Sequence, residues 1–331
     1  MTDTDTVIAT PSDSDEPARL PIPDTGHARL SDRTLVRVSG PGTRAFLQGQ
    51  FSQHLDEVTP NHAPRAAAAN PKGRAYALTR LARDGEDVLM VLPKALLEAT
   101  QAQLDKYLRL FRGTTMTPLA NAQVWGLVGM DAAAQIAGAT PAALGMPADA
   151  QPLDSGLLIR VEDDDRGIVR FEFWQTGDTA PDLTGTPELS VADWQARDIA
   201  AGVPQLDTHS WEAYVPQMLN WHHLGGVHFK KGCYTGQEVI ARMHFLGQLK
   251  KSLYRFSCPG GVRTGSRVLA GNQAVGEVVT AVTYTDGSSE LLAVVRHDAA
   301  GQPLTVEGQP LMPRPLPYPV PEREGPANTD T

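Results

Sequence analysis

The C-terminal part of the chain most narrows what it can fold into. From about Lys251 the sequence becomes a succession of short β-rich runs broken by Pro259-Gly260-Gly261, Gly271-Asn272, Asp286-Gly287 and Gly301. Small strands with turns this frequent predict a closed or nearly closed β-barrel, placed over 248–315. Five prolines between Pro313 and Pro321 then stop regular structure, so 316–331 reads as a Pro-rich tail.

The chain before the barrel alternates strand and helix signals. Leu35 to Val38 reads as a strand, Gly40-Pro41-Gly42 as a turn, and the following segment with Phe46 and Leu47 as a helix. Tyr76 to Leu81 and Val88 to Leu92 flank Arg83-Asp84-Gly85 as a hairpin. Leu97, Leu104, Leu108 and Phe111 fall on one stripe of a helix over about 93–111. Strands at 124–128, 157–161 and 169–174 follow, with a short helix at 131–137. Ser190 and Asp193 then form a capping box for a helix that Gly202 and Pro204 end. This pattern predicts an α+β body over 27–247, divided near 115/116. Residues 1–26, rich in Asp, Thr, Ser and Pro, cannot bury enough apolar surface to order and read as a disordered acidic tail.

The chemistry concentrates in Phe229-Lys230-Lys231-Gly232-Cys233-Tyr234-Thr235-Gly236-Gln237-Glu238. Thr235 and Glu238 ahead of Val239, Ile240 and Met243 read as a capping box opening a helix that Gly247 ends. Cys233 would then lie just before a helix N-terminus, where orphan N–H groups, Lys230 and Lys231 favour a thiolate. The alternative is a small buried apolar cysteine. The flanking glycines and charges favour the reactive reading.

The run KGCYTGQE, with Val215-Pro216-Gln217-Met218-Leu219-Asn220 upstream and Ala241-Arg242 downstream, resembles the signature of the YgfZ family, relatives of the glycine-cleavage T-protein. The similarity extends from about Leu30 to about Pro315. The resemblance implies a T-protein-like multi-layer body around a folate-binding opening, with a small C-terminal β-barrel. It implies tetrahydrofolate or a derivative as cofactor. It also implies a role supporting iron–sulfur cluster assembly or repair, with Cys233 as the reactive thiol and Lys231, Gly232, Tyr234, Gly236, Gln237 and Glu238 supporting it. Trp194 and Arg197, in the Asp193-to-Pro204 segment, are the implied folate contacts. Arg33 stands where bacterial members of the family commonly have a second Trp, and a planar guanidinium could stack there. In the stretch Asn70-Pro71-Lys72-Gly73-Arg74-Ala75-Tyr76-Ala77 the T-protein carries an Asp needed for aminomethyl transfer. No carboxylate stands there in this chain, so glycine-cleavage activity is not expected. Lys72 and Arg74 are instead candidate partners for folate carboxylates.

Composition closes off other classes. The formal net charge is -9, with 29 basic and 38 acidic residues, which argues against broad nucleic-acid binding, so any contact with tRNA must be local. Cys233 and Cys258 make no disulfide framework or metal module, Cys258 reads as structural, and no apolar run approaches a membrane span. His222, His223 and His228 fit no standard metal spacing, so only transient iron binding through Cys233 is expected. Glu238 and Arg242 have ion-pair spacing on one helix face. A cytoplasmic monomer is expected, with iron–sulfur client or assembly proteins as partners. The alternatives are a folate-dependent one-carbon transferase acting in tRNA modification and a scaffold that only docks partners.

Overall fold

In the computed structural model, residues 16–247 and 249–320 are described. They form two five-stranded antiparallel sheets and one closed barrel.

The first sheet contains β2 (Arg33–Ser39), β3 (Arg65–Ala69), β4 (Ala75–Asp84), β5 (Asp87–Pro93) and β6 (Thr115–Pro118), in the order β3-β4-β5-β2-β6. The expected hairpin is β4–β5, turning at Gly85 (φ +60°), a left-handed conformation that suits glycine. Helices α1 (Thr43–Gln50) and α2 (Leu97–Leu108) cover it, with Phe46, Leu47 and Leu104 buried among Val36, Val38, Leu81 and Met90. The helix expected to begin at Pro93 opens instead with a 3-10 turn at Lys94–Leu96 and stops at Leu108.

The second sheet contains β1 (Gly26–Arg29), β7 (Gln123–Val128), β8 (Ala150–Leu153), β9 (Gly156–Val161) and β10 (Arg170–Gln175), in the order β1-β7-β10-β9-β8. Helix α3 (Met130–Ala137) packs on one face of it. Strand β10 is buried throughout, and its two-residue period separates its chemistry. Phe171 and Phe173 pack with α3, while Trp174 lies in the cluster of the opposite face. Arg170 and Glu172 share the Trp174 face and therefore point to the middle of the molecule.

The sheets change over between β6 and β7, a few residues past the division expected near 115/116. Thr115 begins β6, which pairs with β2, whereas β1 crosses over to pair with β7.

Helix α4 (Val191–Ala200) joins the three parts. Its capping box is formed as expected, with Ser190 Oγ accepting from Asp193 N and Asp193 Oδ2 accepting from Ser190 N. Ala196 and Ile199 pack with Leu292 and Val294 of the barrel, and Trp194 with Val124 and Val128 of the second sheet. The fit against the sheet is close: a Cβ on Gly126 would lie 2.4 Å from the Trp194 ring.

The barrel is closed as expected. It comprises β11 (Lys251–Cys258), β12 (Arg267–Ala270), β13 (Gln273–Thr283), β14 (Ser289–Arg296), β15 (Leu304–Val306) and β16 (Gln309–Arg314), in the order β11-β14-β13-β12-β15-β16. Pairing of β16 with β11 seals it. Cys258 is buried in its core with Phe256, Val268 and Leu291.

At both ends, residues expected to lie in tails pack on the fold. Residues 1–15 and 321–331 lie outside the described residues, but 16–26 are a packed strap. Ala18 is fully buried and pairs with Tyr284 of the barrel, Arg19 binds Asp193, and Arg197 donates to Pro23 O. Specific polar contacts anchor a segment that has no apolar periodicity. At the other end, the Tyr318 hydroxyl donates to Gly202 O at 2.6 Å, so 316–320 run back over the body.

Among the described residues no helix is long and apolar enough to cross a membrane.

Candidate functional site: a charged central cleft beside a clasped cysteine loop

A cleft opens where the three parts meet. The first sheet contributes Arg33, Arg65, Thr79 and Arg80, the second Val161 and Glu172, α4 Asp198, and the chain that follows α4 Gln205 and Trp221. Its inner space is small, about 60 Å³. Arg65 and Arg80 also line an adjoining space of about 410 Å³ with Gln53, His62, Glu162 and His228. That outer space is within the ~300–1,000 Å³ range of small-molecule clefts.

The cleft is a network of opposed charges. Arg65 and Arg80 are register partners on β3 and β4, an arrangement that repels unless an anion sits between them. Glu162 supplies it: its carboxylate takes Arg65 Nε at 2.7 Å and Arg80 Nη2 at 3.3 Å. Burial alone would raise the Glu162 pKa, but the two guanidiniums outweigh it and hold the carboxyl far below its ordinary value. Arg33 donates to Glu172 at 2.8 Å and to Asp198 at 2.9 Å, and Arg170 reaches Asp198 at 2.8 Å. Trp174 Nε1 donates to the other Glu172 oxygen. The Arg65 guanidinium lies 4.9 Å from the Trp221 ring centre, a cation–π contact. Trp221 Nε1 and Arg170 Nη2 are buried without a hydrogen-bond partner.

Arg33 is therefore in the cleft, committed to two carboxylates rather than exposed. The other expected cofactor contacts are elsewhere. Trp194 is a core residue with its ring under Arg170, at 4.8 Å. Arg197 is buried against Asp164 and ties down the N-terminal strap. Lys72 is exposed on the turn Asn70–Arg74, where Asn70 Oδ1 accepts from Lys72 N and Arg74 N, and Arg74 donates to Ala213 O. Neither Lys72 nor Arg74 lines the cleft.

The cysteine loop begins at the rim of the outer space, which Leu224, Gly225, Val227 and His228 help to line. Helix α5 (Gln237–Phe245) starts later than the capping box predicts. Its N-cap is Gly236, at φ +83°, with no side-chain cap. Thr235 instead donates its hydroxyl to Gln50 Oε1, and Gln237 Oε1 accepts from Tyr234 N. A glycine is required at 236 because a Cβ there would meet Asn70 O at 2.6 Å. Cys233 is exposed, four residues before the first helical residue, so the macrodipole expected to act on it is further away.

Lys231 does different work from that expected. Its ammonium is turned inward and donates to the carbonyls of Gln48 (2.7 Å), Phe51 (2.5 Å) and Gln53 (2.9 Å), over the Tyr234 ring at 4.7 Å. Burial pulls its pKa down to about 7. The lysine thus clasps the cysteine loop to the end of α1. Gly232 and Glu238 are exposed, and Glu238 makes no ion pair with Arg242 among the described residues. No group of three or more His, Cys, Asp or Glu is placed to hold a metal among the described residues.

Sequence reasoning missed Arg65, Arg80, Glu162, Glu172, Asp198 and Trp221. A signal was present: in Arg170-Phe171-Glu172-Phe173-Trp174 the charges alternate with aromatics, which puts two charges on one face of a buried strand.

A search of family models found no match. Curated relatives do match. A protein of Cronobacter sakazakii named tRNA-modifying protein YgfZ is 29% identical over 299 residues, covering 85% of this chain and 87% of the relative. The protein of the same name from Yersinia enterocolitica is 29% identical over 310 residues, covering 88% and 92%. Among solved structures, the glycine cleavage system aminomethyltransferase T of Bartonella henselae superposes with a TM-score of 0.69 over 88% of this chain and 84% of that one, at 16% identity, a likeness of fold. The resemblance to the YgfZ family carried by the KGCYTGQE run is thus borne out over most of the chain, on the fold of a glycine-cleavage aminomethyltransferase.

Proposed function

We propose that this chain binds a reduced folate in the central cleft and acts as an accessory protein in tRNA modification, supporting iron–sulfur cluster assembly or repair through Cys233. The observation that carries the proposal is the cleft itself: flat Trp221 and Arg65, carboxylates at the inner end and two arginines at the rim. A tetrahydrofolate combines a pteridine edge of N–H donors with a carboxylate-bearing tail. Glu172 and Asp198 are acceptors suited to the first, and Arg65 and Arg80 are donors suited to the second. The inner 60 Å³ admits the ring only when Arg33 or Arg65 swings aside, which requires ion pairs to open.

The chain is read as a binder rather than an aminomethyl transferase. A folate supplies a one-carbon carrier, but the transfer needs a group that can give or take a proton. Glu162, Glu172 and Asp198 are each held by arginines, the Asn70–Ala77 stretch offers no carboxylate, and His62 and His228 line the outer space but not the inner end where the ring would sit. Cys233 is the accessible nucleophile, and a thiolate there could ligate iron transiently or exchange with another thiol.

Calorimetric titration with 5-formyltetrahydrofolate tests the binding. Saturable binding is expected, weakened at least ~10-fold by Arg65→Met and by Arg80→Met, as for loss of a charge-assisted contact. No saturable heat from folded wild-type protein, or equal affinity in both variants, would remove the cleft as a folate site. A deletion strain tests the rest: normal iron–sulfur enzyme activities, or full rescue by Cys233→Ser at wild-type protein levels, would overturn the thiol's role.

A further inference from the structure

We infer that the face built from α5, the cysteine loop and the Asn70–Arg74 turn docks unpaired RNA; this deepens the tRNA part of the proposed function and rests on it. Three chain segments are locked into one surface. Gly73 (φ +71°) lies so close to α5 that a Cβ would be 2.8 Å from Val239, which puts Lys72 beside the first turn of the helix. Phe229 stacks on His244 at 3.6 Å and 10°, which lays Lys230 along the last turn. Cys233 and Arg242 are exposed on the same segments.

Charge is segregated onto this face. The Asn70–Arg74 turn and residues 229–245 hold five Lys and Arg against one Glu, which leaves 24 basic and 37 acidic residues in the rest of the chain. Lys231 is clasped inward, but the side-chain cations of Lys72, Lys230 and Arg242 are exposed and make no ion pair among the described residues. Glu238 is the one carboxylate in the sequence of these segments. Unpaired cations in a strongly acidic protein favour a polyanion that binds here and is repelled elsewhere.

The rings distinguish the kind of polyanion. Phe245 is 43% exposed and stands edge-on to both Phe229 (6.1 Å) and His244 (4.8 Å). An exposed ring on a segment that also carries unpaired cations is the composition of a stacking platform for splayed-out bases. A duplex offers phosphates but hides its base faces, so single-stranded loops are the matched partner. The leading segment, 224–228, lines the outer cleft, so a bound loop would lie at the mouth of the folate site with Cys233 beside it.

Fluorescence anisotropy with a labelled RNA hairpin carrying an unpaired loop, and with a blunt RNA duplex of equal length, tests this. The hairpin is expected to bind more tightly than the duplex. Lys230→Glu with Arg242→Glu should weaken it at least ~10-fold and flatten its logarithmic salt dependence by about 1.4–2. Phe245→Ala should weaken the hairpin and spare the duplex. Arg263→Glu, at a site 89% exposed on the barrel, should change nothing. Equal binding of duplex and hairpin, no effect of the double reversal, the same loss with Arg263→Glu, or displacement by poly-glutamate as readily as by RNA would overturn the inference, the last assigning the face to an acidic protein. Calorimetry with 5-formyltetrahydrofolate on the same variants should stay at wild type, so failure of the RNA face is separable from failure of the folate site.

Discussion

Replacing Lys231 with Met should destabilise the protein by about 3–5 kcal/mol, because three buried carbonyls lose their donor at roughly 1–3 kcal/mol each and the relieved desolvation of the ammonium offsets part of that. Three backbone carbonyls converge on its ammonium within 2.5–2.9 Å, and none can follow the side chain if it is lost, because Gln48, Phe51 and Gln53 are fixed by α1 and its exit. Each charge-assisted bond is worth roughly 1.5–3 kcal/mol. The sum is reduced by the cost of desolvating the ammonium, the same burial that brings its pKa down to about 7. At ~2–4 °C per kcal/mol the melting temperature should fall by roughly 6–20 °C. Lys231→Arg should not restore it, since a planar fork cannot point three donors at converging acceptors. Differential scanning calorimetry reads the melting temperature, and the rate of Cys233 alkylation in the folded protein reads whether the loop has come loose. A melting temperature within about 1 °C of wild type, with unchanged alkylation, would refute the clasp and show that desolvation cancels the three bonds.

Glu162 should make the protein acid-sensitive. Its folded-state pKa is held below the ordinary 4.5, so its stabilising contribution is complete above pH 4.5 and is lost as pH falls toward the folded value. Urea midpoints should therefore drop more steeply below pH 4.5 in wild type than in Glu162→Gln, and parallel curves would refute the linkage. Removing residues 1–25 should cost about 3 kcal/mol or more, because Asp193 loses Arg19 and Arg197 loses Pro23 O; a melting temperature equal to that of the full chain would show that the strap is dispensable. Cys233 should react with a maleimide in the folded protein and Cys258 only after unfolding, as mass spectrometry of labelled peptides would show; labelling of Cys258 at native stability would mean that the barrel opens locally.

The fold was largely legible because its signals are local. The capping box at Ser190 and Asp193, the β4–β5 turn at Gly85 and the strand-and-turn texture of the barrel depend on neighbours a few residues apart. What was not legible depends on partners far along the chain. Nothing near Ala18 or Arg19 shows that Tyr284 and Asp193 wait to receive them. The cap at Thr235 failed for the same reason: Gln50 competes for its hydroxyl, and the close approach of Asn70 makes Gly236 the cap.

The site shows this separation most sharply. The residues a sequence reader selects are those with unusual chemistry in an unusual local string, and Cys233 in its glycine- and lysine-rich loop is such a residue. The cleft is made of ordinary arginines and carboxylates drawn from all three parts of the molecule, between Arg33 and Trp221. Each is unremarkable until the fold sets Glu162 between Arg65 and Arg80, and Arg33 between Glu172 and Asp198. Trp194 misleads in the opposite way. A tryptophan on a helix that borders the ligand opening suggests a platform, but the missing Cβ of Gly126 on β7 lets its ring sink into the second sheet. Arg33 closes the inner cleft with two ion pairs, to Glu172 and Asp198. Under the proposed folate reading those pairs make entry cost energy, and the ligand must bring donors for Glu172 and Asp198 and an acceptor for Arg33, which a pteridine edge with its ring carbonyl supplies.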